Sequence, residues 1–515
     1  MQAESRRFRC MWRDDPATTM VIGWEQVSGE NPTLHYDVID FGAQAVAYRN
    51  KKRPDRIIFS KGMHNHFVRL SGLSPNTVYY FVIKDSKDVS QRMSFKTAPG
   101  NPNTRLSIIA GGDSRNNREV RRNANRLVSK LRPHFVVFAG DMTGGDTNEN
   151  WRDWFDDWQE TIGSDGRLFP IVPARGNHER ENGSITELFD VSSSDVYYAL
   201  TFGGKLLRLY TLNTLISASG RQRTWLEEDL KANQNVIWKM AQYHHGMRPH
   251  TRVKAPRGDV YANWANLFFD YDVKLVLESD AHVVKTTYPI RPKPTGNNDE
   301  GFVREEDGTV YIGEGCWGAP LRPNDSNKSW TRASGSFNQF KWIFVSPREI
   351  EVRTIKTERV HQVAEVSQDN IFEPPVGLVI WRPNSGDVLT IRNERYQPPV
   401  AQPQRPRYDS RAQTPSKSQP EPKEKKDRND WSAFPTVNLN ADGVATIRYR
   451  LPRTSEVTIK LINRDWKMVR DVKLPDEPPG AAVKNLKLKG ISRGEYLLVI
   501  KANGKLLQRF RVVKR

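Results

Sequence analysis

An α/β body between two all-β sandwich domains is the fold class this sequence predicts, and three observations predict it. Five apolar runs of strand character each end in chemistry-bearing residues: at Asp113, at Asp141, at Asn177 to Glu179, at His244 and His245, and at Asp280 and His282. From residue 104 the apolar spacing alternates between buried runs and helical periods, whereas residues 8–98 and 431–515 keep the short period-two segments of strands. Residues 396–430 are rich in Pro, Gln, Ser and charge and nearly free of aliphatics, which is the composition of a linker. The domain bounds follow as 1–100, 101–395, 396–430 and 431–515.

A chain of 515 residues is too long for one ordinary domain. Its net charge of +19 invites a nucleic-acid partner, but the charge is unevenly placed. Residues 396–515 hold 26 Lys/Arg against 12 Asp/Glu, and the preceding 395 hold 53 against 48. The basicity belongs to the tail, so nucleic acid is set aside as the main partner. Two cysteines cannot build a disulfide framework or a cysteine-rich zinc site. No apolar run reaches the length of a membrane-spanning helix, and MQAESRRFRC lacks the apolar core of a signal peptide.

In the first hundred residues, TTMVIGWEQ, TLHYDVIDFG, HNHFVRLSGL and VYYFVIKD alternate between turn-formers such as SGENP and SPN. They predict a seven-stranded sandwich. His64 and His66 share a strand face there with no third ligand near, which is a structural placement. In the body, RLSIIAGG is a strand, and Val120, Ala124, Leu127, Val128 and Leu131 then fall on one helical face. HFVVFAGD, LFPIVPARGN, KLLRLYTLN, VIWKMAQYHH and VKLVLESDAH follow as strands, with ENWRDWFDDWQETI, RTWLEEDLKAN and ANWANLFFDYD as helices. Buried strands separated by helices predict helices on both sheet faces, with a ligand crevice beyond the strands' carboxyl ends. All five motifs stand at such ends.

Side chains of these types suit a centre of two divalent cations, roughly 3.5–4 Å apart, that activates water and clamps a phosphoryl group. Asp113, Asp141, Asn177, His244, Asp280 and His282 supply oxygen and nitrogen ligands, and His178 and Arg115 supply proton-donating and cationic groups. His245 stands either against the substrate or against the sheet. Glu179 reads as a brace for its loop. Trp151, Trp154 and Trp158 read as core, and Cys316 as a small packed residue. Ser114 has no partnered base that would make it a nucleophile.

The motifs GDS, GDMTG, GNHE, a strand ending in His, and SDAH occur in the order and spacing of the calcineurin-like metallophosphoesterases. VRLSGLSPNTVYYFVIKD resembles the close of a fibronectin type III domain, and such a domain in front makes residues 10–357 resemble the purple acid phosphatase branch. The resemblance implies a two-sheet β-sandwich flanked by helices, a phosphoester substrate and two divalent metal ions, with Mn, Fe, Zn and Ca left open. It implies that Asp113 binds the first metal, that Asp141 bridges both, that Asn177 and His244 bind the second, and that His282 binds the first. His178 would stand beside the substrate and protonate the leaving group.

Three positions depart from that family's pattern. Gly144 stands where the purple enzymes have tyrosine, so a phenolate-to-iron colour is not expected. Arg115 stands where the wider superfamily often has histidine. Asp280 replaces the first imidazole of Gly-His-x-His, a harder ligand that favours Mn, Mg or Ca over Zn. Arg115, permanently charged and able to grip phosphate with two N–H groups, can stand in for charge lost at the first metal.

ISRGEYLLVIKANGKLLQRFRVVKR resembles the end of the sorting domain of the bacterial type IX secretion system. This implies export after removal of a signal peptide, and contact of the C-terminal domain with secretion machinery or the cell surface. The expected activity is direct attack by metal-activated hydroxide on a phosphoester. The competing expectation is a catalytically weakened exported protein that binds phosphate or phosphorylated polymers.

Overall fold

Apolar runs buried on both faces organise the body. A computed structural model describes residues 4–367 and 370–396, and beyond them 436–438, 444–451, 454–463, 467–478, 480–487, 492, 494–503 and 505–514. Two units are separated at Ala401.

Within the first unit, the N-terminal part is two four-stranded sheets. One runs Glu4–Met11, Met20–Ser28, Met63–Leu70, Arg56–Ser60; the other runs Asn50–Lys52, Thr33–Asp37, Val78–Lys84, Met93–Lys96. Eight strands stand where seven are expected, because the residues after Arg49 make two short strands on different sheets. His66 stacks on Trp24 and hydrogen-bonds to the carbonyl of His64, the structural role its spacing predicts. Trp12 packs edge-on against Phe135 and Phe202, joining this part to the body through aromatic contact.

The body is a sandwich of two sheets. The first has the order Ile171–Pro173, Phe135–Phe138, Leu106–Gly111, Gln339–Val345, Glu349–Lys356, Val388–Arg392. The second has the order Tyr198–Phe202, Leu207–Thr211, Trp238–His245, Val273–Ser279, Val310–Gly313, Val284–Thr287, Thr331–Gly335. Along Trp238–His245 the period-two pleat sends Trp238 and Met240 into the core shared with the first sheet. Ala241 and Tyr243 go instead to a second core beneath the helices Arg221–Ala232 and Gly258–Asp270. Helices on both faces of a sheet are therefore corrected for this second sheet: one face carries helices and the other carries the first sheet.

Helix Arg118–Leu131 buries Ala124, Leu127, Val128 and Leu131 as the spacing predicts, and Asn117 caps it by accepting from Val120 N. Trp151, Trp154 and Trp158 are buried, with Trp154 and Trp158 stacked at 5.0 Å.

The second unit is a five-stranded sheet, Thr436–Asn438, Lys505–Lys514, Gly494–Ala502, Ser455–Asn463, Met468–Glu477, and a two-stranded pair, Val444–Leu451 with Gly480–Lys487. Val457, Ile459, Leu461, Leu498 and Ile500 form its core. Apart from Tyr396, the expected linker 396–430 lies outside the described residues.

Candidate functional site

Three parallel strands of the first sheet deliver Asp113, Asp141 and the Asn177–Glu179 loop from adjacent carboxyl ends. Two parallel strands of the second deliver His244, His245 and Asp280. The chain must turn sharply as it leaves each strand, and Asp113, Asp141, Asp280 and His282 all take left-handed backbone angles, φ 54–68°. Non-glycine residues in that region are strained, and they persist where the surroundings fix them, typically at functional sites. Close approach also demands glycine: a Cβ on Gly176 would lie 2.3 Å from both Asp141 N and Asp141 Oδ1.

The two sheets meet through these side chains. Asp280 N donates to Asp113 Oδ2 at 2.8 Å, and His282 Nε2 lies 3.1 Å from Asp113 Oδ1. His244 Nδ1 donates to the Ala139 carbonyl, so Nε2 points at a ring of oxygens: Asn177 Oδ1 at 3.0 Å, Asp141 Oδ1 at 3.3 Å and Asp280 Oδ1 at 3.6 Å. Burial opposes a charge on His244, but the carboxylates of Asp141, Asp113 and Asp280 push its pKa up to about 9. The field at this point favours a cation. Asp141 is buried, and among the described residues its Oδ2 accepts no hydrogen bond, although Arg115 Nε is 3.3 Å away and also without a hydrogen-bond partner among them. A buried carboxylate oxygen without a donor is unusual, and a cation suits it. Asp113, Asp141 and His244 can converge on one ion, as can His244, His245 and Asp280. The donor set thus fits a metal.

His178 donates from Nδ1 to the Gly144 carbonyl and holds Nε2 3.8 Å from Asp141 Oδ2. Burial lowers its pKa below the usual value. Arg115 reaches between the sheets, with Nη2 3.3 Å from His282 Nε2. His245 accepts at Nδ1 from Arg257 Nη1 at 2.8 Å, and burial with the neighbouring His244 lowers its pKa to about 3. Glu179 is the brace its position suggests, accepting from the backbone N–H groups of Asp141, Met142 and Gly176. Ser114 donates to the Met142 carbonyl and accepts from Trp154 Nε1, a structural link. Cys316 is buried, and burial pushes its thiol well up.

Three cations at this site escape sequence reasoning. Lys254 Nζ lies 2.5 Å from Asp280 Oδ1, Arg322 Nη1 donates to the Asp280 carbonyl, and Arg257 holds His245. Each comes from a loop without periodicity. The only signal was the unusual carboxylate at 280, which calls for a counter-charge.

Residues 6–97 match the family model described as purple acid phosphatase, N-terminal domain, and residues 109–284 match calcineurin-like phosphoesterase. Purple acid phosphatase 15 of Arabidopsis thaliana is 22% identical over 272 residues, covering 43% of this chain and 51% of that protein. An uncharacterized protein of Mycobacterium tuberculosis, Rv2577, is 23% identical over 336 residues, covering 53% and 60%. The chain thus spans little more than half the length of these relatives. Among solved structures, a purple acid phosphatase from yellow lupin (Lupinus luteus) seeds superposes with a TM-score of 0.57 at 14% identity, covering 76% of this chain and 74% of that one. PhoD gives a TM-score of 0.50 at 12% identity, covering 68% and 87%. Strand-end ligands, sandwich topology and both domain matches agree: residues 109–284 are similar to the calcineurin-like phosphoesterases, and residues 6–97 to the N-terminal domain of the purple acid phosphatases.

Proposed function

We propose that this chain is a metal-dependent phosphoester hydrolase. The observation that carries the reading is the buried Oδ2 of Asp141, which accepts no hydrogen bond from the described residues and faces Arg115 and His178 while Oδ1 faces His244. Asp141, Asn177, His244 and Asp280 would hold one divalent cation, and Asp113, Asp141 and His282 a second. A bound cation supplies Lewis-acid polarisation of a phosphoryl oxygen and lowers the pKa of water. The guanidinium of Arg115 binds phosphoryl oxygens and offsets charge where Gly144 and Asp280 replace the family's ligands. His178, its ring fixed by the Gly144 carbonyl, presents Nε2 for proton transfer to the leaving oxygen.

Rates with aryl phosphomonoesters and diesters, measured with Mn, Ca, Zn and Fe beside metal content, test this. Asp141→Asn should lose metal and at least about a hundredfold in kcat/KM. His178→Ala should keep metal and lose about a hundredfold in rate. Phosphate binding without turnover would support the phosphate-binding alternative, and turnover unmoved by both substitutions would refute the assignment. Resemblance of the last strands to a secretion sorting domain supports export of the chain. Export of a protein lacking residues 431–515 would count against that role.

A further inference from the structure

Asp280 is shared. Its Oδ1 is 2.5 Å from Lys254 Nζ and 3.6 Å from His244 Nε2, so one carboxylate oxygen faces both a lysine and the ligand cluster. Its backbone is fixed on both sides, N–H to Asp113 and carbonyl to Arg322, which holds its Cα beside the cluster.

Lys254 lies on the connection from strand Trp238–His245 to helix Gly258–Asp270, and that connection is anchored at several points. Met247 N donates to Glu278 Oε1, His250 N to Glu314 Oε2, Arg252 N to Asp325 Oδ1 and Arg257 N to the Met247 carbonyl. The loop is held while the lysine side chain keeps four rotatable bonds and 26% exposure. Charge counting sharpens its role. Asp113, Asp141 and Asp280 contribute three carboxylates, and of the cations around them Arg115 is paired with Asp141 at 3.3 Å and Lys254 with Asp280 at 2.5 Å. An ammonium paired to Asp280 competes with a divalent cation for the same oxygen.

We propose that Lys254 is a shuttling counter-ion: it shares Asp280 with the divalent cation the site takes, and once released from Asp280 its ammonium binds the phosphoryl group of the substrate. The inference rests on the hydrolase reading above. It assigns Lys254 a phosphate-binding role and makes metal uptake and phosphate binding respond to it in opposite directions. A merely structural lysine would weaken both when lost.

The full-length protein is titrated with Mn²⁺ by calorimetry, and initial rates with an aryl phosphomonoester are measured at saturating Mn²⁺. Lys254→Met is expected to tighten Mn²⁺ binding by about tenfold, the scale on which groups around metal ligands act, and to raise KM and the inhibition constant of inorganic phosphate by a similar factor. Lys254→Arg, which keeps the cation, should stay near the parent in both. Mn²⁺ affinity unchanged or weakened in Lys254→Met, or an unchanged KM, overturns the proposal. Should Lys254→Met not fold, Lys254→Gln is read in the same way. A parent protein that binds Mn²⁺ while Asp141→Asn does not leaves the hydrolase reading standing whatever Lys254 does. A parent that takes up none of Mn, Ca, Zn and Fe overturns both.

Discussion

At Gly176 a single missing methyl group sets the geometry of Asp141. The space a Cβ would need is taken by Asp141 N and Oδ1, both at 2.3 Å, and backbone cannot swing aside as a flexible side chain can. Gly176→Ala is therefore expected to fold, with a loss of about 1–3 kcal/mol as the neighbouring strand end shifts. It should lose at least about tenfold in metal affinity because the carboxylate moves. Circular dichroism with a Mn²⁺ titration checks both. The same scale shows what was legible beforehand. Asp113, Asp141, Asn177, His244, Asp280 and His282 could be named because each ends a long apolar run, and buried parallel strands write such runs plainly. Lys254, Arg257 and Arg322 could not, because what places them is a loop path and a partner many positions away.

Strand Gln339–Val345 shows how an element can bury a liability. Lys341 is fully buried beside strand Leu106–Gly111, with Thr354 Oγ1 as its hydrogen-bond acceptor, and burial lowers its pKa from 10.5 to about 7. The unfolded chain keeps this proton to about pH 10.5, while the folded chain releases it near pH 7. Between those values the unfolded state binds more protons, so the contribution of Lys341 to stability improves as pH rises; below pH 7 the full cost of the buried charge is present. Lys341→Met should stabilise the protein by about 1–4 kcal/mol at pH 6, and the gap should narrow by pH 9, as read from denaturant midpoints. Element types were recoverable from period and length, but sheet membership was not. Nothing in a buried strand says which of two sheets it joins, and Val284–Thr287 or Phe302–Arg304 are too short to show a period.

For the molecule as a whole, the division at Ala401 separates two bodies, each with its own core. A chain ended at Ala401 is expected to keep its metal content and its kcat/KM within about twofold, because every residue assigned to the site lies in the first unit, which has its own core. A tenfold loss would show that the second unit takes part in the chemistry. Within the first unit, neither sheet owns the site. Asp113 and His282, 3.1 Å apart, are separated by 169 positions in the chain, and His244 faces Asp141 across the same seam. Loops that long close slowly in folding. A nascent or half-folded chain holds only scattered ligands, so the ability to capture an ion should arrive late, as a property of the finished sandwich, and not guide its assembly.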